Sequence, residues 1–197
     1  SYGNAYTNWR GQQIETSTQS DNGRHRIGLI SGEFKNESLP NNQKKNYELA
    51  SYRYSYDDSM STATEIIKGK FWAGDKGWVL GQKFWHGDTS LNVYLRRSRM
   101  TDSAPLVSFA GFQISLPFTP RVNKGFENLA IRGVNQWNYT LESRVFDREN
   151  LITGGYGEIP RLGDSLTQTF NRDRNSTRYL EAGLIKAKSA FNELSSD

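Results

Sequence analysis

The chain has no cysteine, and its 197 residues include only two histidines (His25 and His86), two methionines and five prolines. Without thiols there is no disulfide framework, thiolate metal site, cysteine nucleophile or redox pair. Two isolated imidazoles give poor support for zinc or Ser/His chemistry, so neither a metal nor a cofactor is expected. Long hydrophobic runs are also missing, and mean hydropathy is −0.75. The longest charge-free stretch, residues 103–120, is interrupted by Pro105, Pro117 and Pro120 and alternates polar with apolar residues. That is the pattern of a strand, and it excludes a helical membrane protein. One-sided charge is lacking too: 25 basic against 21 acidic residues leave +4. The acidic residues interrupt the basic ones everywhere, Arg172, Arg174 and Arg178 included, so no nucleic-acid partner is expected.

What the chain has in quantity is aromatics, 10 Phe, 10 Tyr and 5 Trp, together with 18 Gly. Such a composition does not describe disorder, and the length suits one fold unit. From about residue 24 to 148, stretches of similar length are separated by Gly, Asn, Asp or Pro, as antiparallel strands joined by turns are. About eight are expected, near 24–34, 46–56, 62–72, 77–86, 89–99, 106–118, 127–134 and 136–147. Alternation sets Trp137, Tyr139, Leu141 and Val145 against Asn138, Thr140, Glu142 and Arg144. It likewise sets Phe112, Ile114 and Leu116 against Gln113 and Ser115, and Leu91, Val93 and Leu95 against Asn92, Tyr94 and Arg96. Each strand therefore has one apolar and one polar face.

Residues 1–23 show no clear period and are expected to be a lead-in segment, with Ser1 either a mature terminus or a cut inside a longer chain. After the strands (24–148) comes a glycine-rich loop (149–175). Leu180, Leu184, Ala187, Phe191 and Leu194 then repeat at the spacing of one helical face, predicting an amphipathic helix over 176–197 that docks on an apolar surface or sits at an interface.

Two architectures fit these strands, a soluble sandwich and a membrane barrel. Length favours the barrel: a tilted membrane-crossing strand needs about 9–11 residues, whereas a globular strand averages about 5–6. In addition, Phe71-Trp72-Ala73-Gly74-Asp75 recurs thirteen positions later as Phe84-Trp85-His86-Gly87-Asp88, which puts aromatic pairs at opposite ends of successive strands. Phe71, Trp72, Phe84, Trp85, Trp137 and Tyr139 are accordingly expected to form the interfacial girdles of a barrel. The fold expected is all-β, an antiparallel transmembrane β-barrel, alone or within a larger barrel, with the C-terminal helix and tail on the periplasmic side.

Catalytic pairs can be drawn but nothing in the spacing selects them. His86 could join Asp88 or Asp75, and Glu142 could face Glu65 or Asp88 across a sugar. Strand carboxylates more often line a lumen, and no enzymatic role is expected.

The phrases Phe71-Trp-Ala-Gly-Asp-Lys-Gly, Phe84-Trp-His-Gly-Asp-Thr, Tyr94-Leu-Arg-Arg-Ser-Arg99 and Gly111-Phe-Gln-Ile-Ser-Leu-Pro-Phe-Thr-Pro120 occur in this order. Together with Gly154-Gly-Tyr-Gly-Glu-Ile-Pro-Arg-Leu-Gly-Asp-Ser165 and Phe170-Asn-Arg-Asp-Arg-Asn-Ser176, they give residues 60–195 a resemblance to the C-terminal part of the YjbH/GfcD family. The resemblance implies a bacterial outer-membrane location. It also implies a role in exporting or assembling exopolysaccharide or capsule, with outer-membrane lipid, the surface polysaccharide and other proteins of the same operon as partners. Family members are longer lipoproteins with upstream domains, and the family supplies no catalytic residues to carry over. Within that reading, Arg97 and Arg99 form a basic ladder for an anionic polysaccharide, with Arg96 on the other face and Tyr94 stacking on sugar rings. The same arginines could instead form an interfacial cluster at the rim. The alternative function is a soluble periplasmic β-sandwich that binds or modifies glycans on Trp72, Trp85 and Tyr94.

Overall fold

The computed structural model describes residues 2–6, 8–36, 38–39, 43–56, 61–86, 89–116, 137–146, 157–159, 184–185, 187–188 and 191–192. Nine strands follow in chain order: β1 (Tyr2–Tyr6), β2 (Trp9–Gln19), β3 (His25–Asn36), β4 (Lys44–Ser55), β5 (Thr62–Lys70), β6 (Lys76–His86), β7 (Thr89–Arg99), β8 (Val107–Leu116) and β9 (Trp137–Val145). Every pairing is antiparallel and between chain neighbours, so the sheet is one open meander with β1 and β9 at its edges. The all-β expectation holds, and seven of the expected strands coincide with β3 to β9 within a few residues. The remaining one, 127–134, lies outside the described residues.

Residues 1–23 depart from expectation by supplying β1 and β2. The reason is legible in the pairing. One face of β2 carries Trp9, Gly11, Gln13, Glu15 and Ser17, the other Arg10, Gln12, Ile14, Thr16 and Thr18. With both faces polar, no apolar alternation marks the strand, although its β-branched threonines suit one.

Local chemistry sets the hairpins. Between β2 and β3, Gly23 takes a φ of 71°, its amide donating to the Ser20 carbonyl at 2.8 Å. There the Asn22 side chain accepts from Ser20 Oγ at 2.7 Å and from the Arg24 amide at 3.1 Å. Between β5 and β6, Gly74 adopts a φ of 93° while the Phe71 amide donates to the Asp75 carbonyl at 2.8 Å. Positive φ at these positions is why glycine closes both turns.

The same face is covered on successive strands, and it is called the inner face below. At the sheet end that holds the 71–75 turn, it carries the apolar core: Phe34, Tyr47, Leu49, Phe71 and Trp72, with Trp9, Ile30, Ile67, Val79 and Ile159 packed around them. Trp72 meets Phe34 and Trp9 edge-on, with ring centres 5.2 and 5.4 Å apart. Tyr47 lies across Gly32, whose missing Cβ makes room for the ring, and its hydroxyl donates to Gln13 Oε1 at 2.8 Å. Burying aromatics whose polar tips find partners is worth several kcal/mol in all.

Of the expected loop 149–175, Gly157–Ile159 is described, and it is bound to this core. The Trp72 amide donates to the Glu158 carbonyl at 3.0 Å, and the Gly157 amide donates to Oδ2 of fully buried Asp75 at 2.8 Å. In the expected helix, Leu184, Ile185, Ala187, Lys188, Phe191 and Asn192 are helical. Leu184 and Phe191 of the expected apolar stripe are 71% exposed, while Leu180 and Leu194 lie outside the described residues.

Candidate functional site: a two-faced sheet

Register gives the site its geometry, because residues directly opposed across strands share a face. One row on the outer face runs Ile27, Tyr52, Ile66, Leu80, Leu95 and Ala110, crossing six strands without a polar residue. Its large members are open to the surroundings, from Ile27 at 52% exposed to Leu80 at 39%. Beside it toward the β6–β7 turn lie Val93, Phe112 and Leu141, then Phe84, Leu91, Ile114 and Tyr139, then Leu116 and Trp137.

One residue away along each strand, the inner face carries the row Gln19, Arg26, Arg53, Glu65, Gly81, Tyr94, Gly111 and Glu142. At one level of the sheet, then, Arg26, Arg53 and Glu65 are buried while the apolar groups beside them on the outer face are exposed. A soluble sandwich has the opposite polarity.

The inner row is cross-braced. Lys83 pairs with buried Glu65, while Arg26 and Arg53 are buried on the neighbouring strands. On the other side Glu142 accepts from the Tyr94 hydroxyl at 2.7 Å and forms an ion pair with Arg96. Gly111 opens the space in which Tyr94 lies, since a Cβ there would stand 2.8 Å from the phenol oxygen. Further along, Gln113 donates to Thr140 at 3.0 Å and Ser115 donates to Asn138. The result is a wall of donors and acceptors joined by carboxylate–base pairs, the surface chemistry that hydrated sugars match.

The structure separates the residues expected to bind polysaccharide. Tyr94 and Arg96 stand together on the inner wall, joined by Glu142. Arg97 and Arg99 stand on the outer face, opposite Trp78 and Lys76, so the pair is not part of the inner wall. Arg99 reaches Asp102 at 3.3 Å, an exposed pair.

The aromatics separate as well. Phe84, Trp137 and Tyr139 are on the outer face and exposed. Phe71 and Trp72 are buried in the core, at 0% and 5% exposure, because the 71–75 turn folds them inward under Tyr47 and Phe34. Trp85 points to the inner face opposite Ser90. The repeated Phe-Trp phrase thus lies at opposite ends of β6, as expected, but the two copies face different surroundings.

Of the catalytic pairs drawn from sequence, His86 with Asp75 and Glu142 with Glu65 are not assembled, and the two that use Asp88 fall outside the described residues. His86 and Asp75 lie at opposite ends of β6. Glu65 and Glu142 share a row but sit on β5 and β9, each engaged by its own basic partner. Among the described residues no group of three or more metal-ligating side chains forms, and no helix is long and apolar enough to cross a membrane. Missed from sequence were Arg26, Arg53 and Lys83. Their signal was alternation with Ile27, Tyr52 and Phe84, which marks them as one face of a two-faced strand.

No family model, curated protein or solved structure matches the chain.

Proposed function

We propose that this chain forms the wall of an outer-membrane β-barrel through which, or against which, a surface polysaccharide is moved during export. The observation that carries the reading is the reversed polarity of the sheet: an exposed apolar row across six strands, backed at the same level by an inner row of charged and hydrogen-bonding groups in which Arg26, Arg53 and Glu65 are buried. A lipid-facing strand must show apolar groups outward and a lumen-facing strand polar groups inward. Strands β2 to β9 have 9 to 12 residues, the length a tilted crossing requires. Tyr94 stacked over Gly111 and flanked by Arg96 and Glu142 offers a ring face and paired charges to a passing glycan. The polysaccharide assignment draws on the YjbH/GfcD resemblance, and the role is conduction or docking without catalysis.

The test is fractionation of envelopes carrying the full-length protein, followed by gels with and without boiling in detergent. Residence in the outer membrane with a band that shifts on boiling is expected. A buffer-soluble periplasmic protein whose band does not shift would overturn the barrel in favour of the glycan-binding sandwich.

A further inference from the structure

Five cations crowd one corner of the outer face. Lys70, Lys76 and Arg99 oppose one another directly on β5, β6 and β7. In the adjacent row, Lys68 and Arg97 flank Trp78 on the same strands. Like charges directly opposed in a sheet destabilise it, so an in-register cation row calls for a counter-charge. The protein supplies part of it: Glu48 on β4 directly opposes Lys70, which donates to Asn46, and Arg99 pairs with exposed Asp102. Lys68, Lys76 and Arg97, farther from Glu48, make no ion pair or hydrogen bond among the described residues. The Trp78 indole likewise has no hydrogen-bond partner there.

What adjoins the cations decides the occupant. The next row on these three strands is Ile66, Leu80 and Leu95, apolar and exposed. Two residues along a strand is about 7 Å, so a bound molecule meets fixed positive charge and then, within one step, the apolar row Ile66, Leu80 and Leu95, beyond which lie Thr64 and Gln82 on β5 and β6 and Val93 on β7. A glycan or free phosphate matches only the first. We infer that Lys68, Lys70, Lys76, Arg97 and Arg99 form a headgroup site for an anionic phospholipid, with its phosphate among the cations and the Trp78 indole, and its acyl chains along Ile66, Leu80 and Leu95. This rests on the membrane reading above and adds to it a lipid of defined charge at a defined corner.

The test uses the full chain in a zwitterionic detergent, titrated with phosphatidylglycerol and separately with phosphatidylcholine, with tryptophan fluorescence as the readout. Phosphatidylglycerol is expected to bind the more tightly, and added salt to erase the difference. Replacing Lys68, Lys76 and Arg97 together by Gln should weaken phosphatidylglycerol binding by about fivefold per cation, on the order of a hundredfold in all. The charge-keeping Lys68→Arg/Lys76→Arg variant should retain it. Equal affinity for the two lipids, an unaffected Gln variant, or equally tight binding of inorganic phosphate or alginate at these residues would overturn the site. If the band still shifts on boiling, the barrel survives that result. If the band does not shift and the protein leaves the envelope in buffer, barrel and lipid site fall together.

Discussion

Tyr94 and Arg96 stand two residues apart on β7, but Glu142 comes from β9, far away in sequence, and no spacing rule joins it to them. Glu142→Ala removes the acceptor of the Tyr94 hydroxyl and the partner of Arg96 at once, leaving a largely covered guanidinium without its counter-charge. A loss of about 1–3 kcal/mol is expected, measured by thermal unfolding of the full chain in detergent. Tyr94→Phe, which leaves the ion pair intact, should cost less. What the sequence made legible at this scale was the face each residue occupies. Alternation alone put Tyr94 and Arg96 on one side of β7 and Arg97 and Arg99 on the other, as the structure has them. Which side was covered was not legible, since period two is blind to direction, and Arg97 and Arg99 were therefore expected to reach sugar. Phe71 and Trp72 misled for a different reason. A turn aromatic looks the same whether its turn folds outward to lipid or inward over Phe34 and Tyr47.

The outer rows tie individual strands to the membrane reading, because a substitution on one face of β6 should behave unlike a substitution on the neighbouring face of β8. Leu80→Arg puts a charge in the middle of the row Ile66, Leu80, Leu95. In a bilayer it should cost about 2–4 kcal/mol, read from urea unfolding in phosphatidylcholine vesicles. Gln113→Arg, on the polar face of β8, should change stability by less than about 1 kcal/mol. Equal and small effects at both positions would contradict lipid contact. Among the elements, β3 to β9 were legible because each has one apolar face. β2 was not, because Gln13, Glu15 and Ser17 inside and Gln12, Thr16 and Thr18 outside give no contrast. The tail was half legible: the spacing from Leu180 to Leu194 gave a helix, but nothing in it told that Leu184 and Phe191 would stand exposed, or that Gly157 would bind Asp75.

Across the whole sheet, the edge of the apolar surface does not run straight. On the charged side it is at Leu29 on β3 and Ala50 on β4, at Ile66, Leu80, Leu95 and Ala110 on β5 to β8, and at Leu141 on β9. From Ala50 to Leu141 it moves two rows, four residues along the strand, over five strand spacings. At about 3.3 Å per residue and about 4.8 Å per strand, the slope is roughly 30°. Closed barrels tilt their strands by roughly 35–45°, and a level bilayer traces such an oblique band across tilted strands. Polarised infrared spectra of the protein in oriented bilayers should accordingly give a strand tilt of roughly 30–45°. Strands parallel to the membrane normal, or lying in its plane, would contradict the assignment.

The meander order also bears on how the molecule assembles. Because every strand pairs with the strand before and after it in the chain, no contact within the sheet requires distant segments to find each other first. Loop-closure entropy grows slowly with length and is small for short hairpins, so β1 to β8 can zip together one hairpin at a time. Between β8 and β9 lie residues 117–136, the longest interval between consecutive described strands. Docking of β9 is therefore the slow, late event of folding, and until it occurs the edge of β8 stands open to pairing with another chain.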